Sequence, residues 1–470
     1  MIFAEVFSSS VTTNLIPLPL LATAEEETAQ ADGSLILASV LLSLVAIYVA
    51  SKIGGEISAR INLPPVLGEL VGGVVIGVSV LGLLVFPETG ATAEDSLVMA
   101  FLERTTDLNP DTAEAVFEAQ GEVITILSEL GVVILLFEIG LESDLKELLQ
   151  VGPQAAAVAI TGVVAPFVGG TAGLYYGFGV PAIPAVFAGA ALTATSIGIT
   201  AKVLAELGRL NSKEGQIIIG AAVIDDVLGI IILAVVASLI KTGNIEVSNI
   251  IYLVISAAAF LVGTILVGRF ISPFLVGMVN EMKTRGQLLL TALVFAFALA
   301  YIATAINLEA ILGAFAAGLV LAETDKRKEL EEQVVPVADI LVPVFFVCVG
   351  ARTDLGVLNP AVPSNREGLV LAAFLIVVAI IGKVIAGFTI FGRPDINKLA
   401  IGVGMVPRGE VGLVFAGVGS ASGALSPATE AAIIVMVILT TFLAPPFLRV
   451  VFPDTKETEA ETETSKQEES

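Results

Sequence analysis

Gly220-Ala221-Ala222-Val223-Ile224-Asp225-Asp226-Val227-Leu228-Gly229 sets two adjacent carboxylates into an apolar run that extends from about Ile217 to Ile240. About 20 helical residues, rising 1.5 Å each, span the hydrocarbon core of a bilayer, so this run is long enough to cross one. The aspartates then lie near mid-depth, where an ionised carboxylate is costly and an ionisable residue marks a functional site. A second such residue, Lys383, lies in another run of the same kind, residues 369–391.

Composition agrees with that reading. The chain has 470 residues, of which 56% are hydrophobic and 15% charged, and a mean hydropathy of +0.95, values that belong to polytopic membrane proteins. The net charge of −23 argues against a nucleic-acid partner. Much of the acidity lies in the N-terminal segment, the 86–122 loop and the tail. Cys348 is the sole cysteine, which leaves no disulfide framework and no thiolate metal cluster. The chain contains no histidine, so any response to pH falls to carboxylates or lysine. Paired carboxylates with a lysine at membrane depth are what proton-coupled movement of a cation requires. The expectation is a transporter of cations and protons, not an enzyme, with no cofactor beyond the transported ions.

Residues 1–32 form an N-terminal extramembrane segment ending in Glu25-Glu26-Glu27 and Thr28 onward. Leu15–Leu21 followed by Ala22-Thr23-Ala24 has the outline of a cleavable signal, but no Lys or Arg precedes it. Targeting segment and simple extension both stay open. Thirteen apolar spans follow, at roughly 33–51, 65–86, 122–140, 153–177, 181–203, 215–240, 247–268, 286–304, 308–323, 334–350, 367–391, 396–420 and 427–448. The expected fold is therefore an all-α polytopic membrane protein of about 13 helices. Alternating sides along these spans puts 17 basic residues on one side and 4 (Arg104, Lys241, Arg352 and Arg366) on the other. Cytoplasmic loops hold the excess Lys and Arg, so the N-terminus is expected outside and the C-terminus inside. Residues 451–470 are too polar to fold and read as a disordered acidic cytoplasmic tail.

An internal repeat is visible in the chain itself. Val66-Leu67-Gly68 with Gly73 in the second span matches Ile311-Leu312-Gly313 with Gly318 in the ninth. The third span ends Gly140-Leu141-Glu142-Ser143-Asp144-Leu145, and the tenth ends Gly350-Ala351-Arg352-Thr353-Asp354-Leu355. Both pairs are seven spans apart, and an odd offset means opposite orientation, the construction of many secondary transporters. The same offset pairs the fifth span with the twelfth. The fifth carries Thr193-Ala194-Thr195-Ser196-Ile197-Gly198-Ile199-Thr200, hydroxyls that bond the local backbone, a neighbouring helix or a bound ion. The twelfth carries Gly402, Gly404, Pro407, Gly409 and Gly412 around Arg408 and Glu410. Pro407 removes an amide donor and the glycines weaken the helix further. Two crossed discontinuous helices near Asp226 would offer carbonyls and hydroxyls to a hard monovalent cation. Arg408 and Glu410 would then bond to neighbouring helices or offset the half-helix dipoles.

These motifs, together with Leu63–Leu70, Leu136–Glu142 and Phe345–Gly350, resemble the monovalent cation/proton antiporter family, in particular the branch with Asp-Asp in its sixth span. That resemblance implies a homodimer with scaffold and dimer helices in residues 33–140 and 286–350. Core transport helices would lie in 153–240 and 367–450, and a linker helix in 247–268. It also implies that Asp226 binds Na⁺ or H⁺ in alternation, that Asp225 pairs with Lys383, and that Thr195 and Ser196 line the ion site. Whether Lys383 carries a proton or is structural stays open at this level. Potassium-efflux members typically end in a soluble nucleotide-binding domain, whereas about 20 polar residues follow the last span here, so Na⁺ (with Li⁺) is expected before K⁺. Glu69, Glu138 and Glu309 are candidate ion-attracting groups near span ends. An intramembrane aspartyl protease needs aspartates on two helices, and a channel normally places its filter on a subunit axis; neither suits this sequence. The plasma (inner) membrane and an internal energy-coupling membrane such as the thylakoid obey the same charge rule.

Overall fold

The computed structural model describes residues 33–106, 109–242, 247–282, 284–361, 363–390 and 396–452; the N-terminal segment and the acidic tail lie outside these. The described residues are helical: α1 (Gly33–Arg60), α2 (Pro65–Ile76), α3 (Leu97–Thr106), α4 (Pro110–Glu142), α5 (Leu145–Ala172), α6 (Ala182–Ala191), α7 (Ile197–Glu206), α8 (Lys213–Thr242), α9 (Val247–Glu281), α10 (Gln287–Ala305), α11 (Ala310–Ala322), α12 (Arg327–Ala351), α13 (Pro363–Gly387), α14 (Lys398–Gly404), α15 (Glu410–Ala421) and α16 (Pro427–Val451). Among them nine are long and apolar enough to cross a membrane, and Pro65–Ile76, Ala182–Ala191, Ala310–Ala322 and Val411–Ser420 are shorter apolar pieces.

The outer surface explains the composition. On α1, Leu37, Leu41, Val45, Val49, Ile53 and Ile57 recur every four residues and are all exposed. The opposite face buries Ser39, Ser43, Ile47, Ala50 and Ser51. Small and hydroxyl residues facing in, with large apolar ones facing out, is the pattern of a helix solvated by lipid.

The repeat reappears as packing. α2 crosses α12 where Gly73 meets Gly350, and α11 crosses α4 where Gly318 meets Gly140. A Cβ on any of these four glycines would run into backbone of the facing helix, Val347 O for Gly73 and Phe137 O for Gly318 among them. The hairpins α1–α2 and α10–α11 match as well. Each turns through an asparagine with positive φ, Asn62 at 58° and Asn307 at 62°. After it, Leu63 N donates to Ser58 O (2.8 Å) and Leu308 N donates to Ala303 O (2.9 Å). Asparagine tolerates the left-handed conformation better than other residues with a side chain, which is why it recurs at helix exits. The aspartates of the repeated Gly-x-x-x-Asp-Leu exits are caps. Asp144 accepts from the amides of Lys146 and Glu147, and Asp354 from that of Gly356.

Several helix bounds differ from the apolar spans. α4 starts at Pro110 rather than 122, α5 at Leu145 rather than 153, and α9 runs to Glu281 rather than 268. Hydropathy marks the apolar part of a helix, whereas Asn109, Asp144 and similar caps set where the backbone begins to coil. The second span, expected over 65–86, is helical only to Ile76. Residues 77–86 instead fold back, and Leu84 N and Leu83 N both donate to Ile76 O (2.9 Å). The acidic loop after it holds α3, whose Val98, Met99 and Leu102 pack on Phe117 of α4.

Candidate ion-binding site

Two helices are interrupted halfway, and their interruptions meet. In the first, α6 ends at Ala191 with Leu192 as its C-cap and α7 starts after Ser196; in the second, α14 ends at Gly404 with Met405 as its C-cap and α15 starts after Gly409. The local chemistry accounts for both. Thr193 Oγ1 donates to Ala190 O (2.7 Å), a local bond that competes with helix continuation. Pro407 brings no amide hydrogen, and Gly409 admits the side chain of Ser196 so closely that a Cβ there would lie 2.8 Å from Ser196 Oγ.

Unwound backbone in an apolar interior must find partners, and here each strand serves the other. Ser196 N donates to Pro407 O (2.9 Å), Thr195 Oγ1 to Met405 O (3.1 Å) and Thr200 Oγ1 to Gly404 O (3.0 Å). Arg408 is fully buried, and its NH1 donates to Ala194 O (2.8 Å) and to Met405 O (3.4 Å). Its charge thus sits beside the carbonyl ends of α6 and α14, where a helix dipole is negative. Thr441 of α16 donates to Arg408 O (2.5 Å) and anchors the crossing to a third helix. Of Glu410 only the backbone is described, at the first position of α15.

The carboxylates of α8 stand beside this crossing and are separated by their helical geometry. Adjacent helical residues point about 100° apart, so they face different neighbours. Asp225 faces α13, where Lys383 Nζ donates to Asp225 Oδ2 at 2.8 Å, and both side chains are 0% exposed. Gly162 of α5 makes room for that lysine, since a Cβ there would come within 3.3 Å of Nζ. Asp226 is 5% exposed and borders a cavity of about 10 Å³ together with Thr195, Ser196, Gly409, Glu309 and Ile311. That is room for one water or one small cation. The wall offers the carboxylates of Asp226 and Glu309 and two hydroxyls, the kind of oxygen set that a hard cation takes. Because Thr195 donates its hydrogen to Met405 O, its oxygen keeps lone pairs for a cation.

Asp225, Asp226, Thr195, Ser196, Lys383 and Arg408, singled out in the sequence, fall at one place, joined by Glu309 on the cavity wall. Glu69 and Glu138 do not; they lie with Lys202 and Glu206 where α2, α4 and α7 meet. Ser51 Oγ donates to Glu69 Oε1 (3.0 Å) there, and Val66 N donates to Glu206 Oε2 (3.5 Å). Sequence reasoning placed Thr200 among the hydroxyls of the fifth span but missed Thr441 as a pin of the crossing. A threonine at mid-span was the available signal.

A crossing of two interrupted helices beside a buried Asp-Asp pair, within an inverted repeat, defines an ion-coupled secondary transporter. The chain belongs to the sodium/hydrogen exchanger family, whose transmembrane model matches residues 40–452. It is 70% identical over 442 residues to the high-affinity Na⁺/H⁺ antiporter NhaS3 of Synechocystis, an alignment covering 94% of this chain and 96% of that protein. It is 34% identical to the Na⁺/H⁺-K⁺ antiporter GerN of Bacillus cereus, covering 86% of this chain and 94% of GerN. The fold is similar to that of the sodium proton antiporter MjNhaP1 from Methanocaldococcus jannaschii, with a TM-score of 0.55 at 16% identity over 88% of this chain and 96% of that one.

Proposed function

We propose that this protein exchanges Na⁺ for H⁺ across a membrane by alternating access, with Asp226 as the carboxylate for which the two ions compete. The observation that carries this reading is the cavity shared by Asp226, Thr195 and Ser196 at the helix crossing. A carboxylate removed from water resists ionisation, so it holds a proton until a cation replaces it. Coupling follows if the site changes sides only when occupied. α5, α8, α13, α14 and α16, which pack on one another, form the moving core together with α6, α7 and α15. α1, α2, α4, α10, α11 and α12 form the scaffold and the surface of a homodimer, and α9 is the linker. The N-terminus lies outside and the C-terminus in the cytoplasm, in a plasma (inner) or thylakoid-like membrane.

Exchange through this site is electrogenic in our reading. Na⁺ at Asp226 raises the cost of the Lys383 ammonium nearby, and the lysine releases a second proton, giving two protons per sodium. One net charge then moves per cycle, and each 100 mV biases transport by about 2.3 kcal/mol. K⁺ for H⁺ is the second reading, favoured by the similarity to GerN, whose name includes K⁺.

Proteoliposomes with an imposed pH gradient test the proposal when Na⁺, Li⁺ and K⁺ are added in turn. The expected result is collapse of the gradient by Na⁺ at lower concentration than by K⁺, with a reversal point that moves with clamped voltage. Collapse by no cation would refute exchange, and a reversal point insensitive to voltage would refute the two-proton stoichiometry.

A further inference from the structure

Glu309 stands at the N-cap of α11 and shares the cavity of Asp226, although the two carboxylates belong to different helix groups. α11 has 13 residues, about 20 Å at 1.5 Å each, too short for a hydrocarbon layer of roughly 30 Å. Its C-terminal end runs out to exposed Glu323 and Asp325, and its N-terminal end, which carries Glu309, opens onto the cavity. The start of a helix is the positive end of its dipole. Ile311 brings that end to the cavity wall, where by itself it repels a cation approaching Asp226. A carboxylate at the N-cap reverses the sign of the charge there.

The repeat supplies a second, independent observation. Asn62 and Asn307 fix the register between the halves, so Glu309 takes the place that Pro64 holds before α2. At the equivalent helix start of the first half, Val66 is fully buried and its amide donates to Glu206, a carboxylate borne by α7. The two helix starts therefore differ: the one before α2 carries a proline and lies beside Glu206, with Glu69 and Glu138 near Lys202, whereas the one before α11 carries its own carboxylate at the N-cap. A charge built into one mouth acts on ions arriving from that side alone.

We propose that Glu309 is the entry carboxylate of the mouth lined by α11, a positioning residue that concentrates monovalent cations in front of Asp226 on that face. In the topology given above this is the extracytoplasmic face. The proposal rests on the reading of Asp226 as the exchange site. It assigns to Glu309 neither proton transfer nor a place in the coupling.

The test compares wild type with Glu309→Gln, Glu309→Ser and Glu309→Asp in oriented proteoliposomes, with NaCl added to one face at a time at low ionic strength. Serine is a good N-cap, so it separates charge from capping. Loss of one unit charge at the mouth is expected to raise the half-saturating Na⁺ concentration about three- to tenfold for Gln and Ser on the α11 face. Maximal rate and the opposite face should be unchanged, Asp should restore the wild-type value, and choline chloride should shrink the difference by screening. Equal shifts on both faces, no shift, or a Ser variant behaving as wild type would overturn the role. A wild-type protein that moves no proton in response to Na⁺ would instead overturn the exchange reading itself, so the two failures are distinguishable.

Discussion

Lys383 and Asp225 form a fully buried ion pair at 2.8 Å between α13 and α8. Taking two charges from water is expensive, and removing one of them strands the other; breaking such a pair costs about 3–5 kcal/mol. Lys383→Gln and Asp225→Asn should therefore each lower the thermal unfolding midpoint in detergent, whereas the double variant should regain part of the loss. A double variant that is as unstable as the sum of the singles would show that the two groups do not act as a pair. The pairing itself was readable as a resemblance, but its geometry was not. Gly162, which clears the space for the lysine, lies on a helix whose glycines look alike in sequence. Arg408 shows the same limit. Its position in a Pro/Gly-rich stretch marked a helix break, yet nothing local says that it reaches across to Ala194 O.

At the scale of elements, the fold depends on close helix crossings and on two interrupted helices that complete each other's hydrogen bonds. The repeated Leu-Gly motifs of α2 and α11 are readable because glycine is needed wherever backbone meets backbone, as at Gly73 with Gly350 and Gly318 with Gly140. Overpacking costs typically about 1–3 kcal/mol. Gly318→Ala should fall in or above that range, since its Cβ meets a carbonyl of α4 rather than a flexible side chain. Gly417, with nothing near its missing Cβ, is the control, and Gly417→Ala should leave the unfolding midpoint almost unmoved. Equal midpoints for the two variants would contradict the crossing as described. Helix ends were the less legible part. α3 lies in an acidic loop with too few apolar residues to read as a span, and it is held by tertiary contacts of Met99 and Leu102. The asparagine turns at Asn62 and Asn307 were legible in principle, as an Asn-Leu pair four residues before each repeated motif, once the repeat is in register.

Over the whole molecule, the two halves build one site from opposite directions. The first half contributes Thr195, Ser196 and the two aspartates, and the second contributes Lys383, the Met405–Gly409 break and Arg408. Each half leaves backbone carbonyls that only the other satisfies, so neither half offers a complete site by itself. In the exchange proposed above, a single site that reaches both faces in turn makes Na⁺ and H⁺ competitors at Asp226. That competition is the central claim, and Asp226→Asn tests it most directly, because it keeps size and polarity while removing the charge. In proteoliposomes of variant protein with a wild-type unfolding midpoint, Na⁺ addition is predicted to release no protons at any pH from about 6 to about 9. Sodium-driven proton release at the wild-type rate would contradict the account.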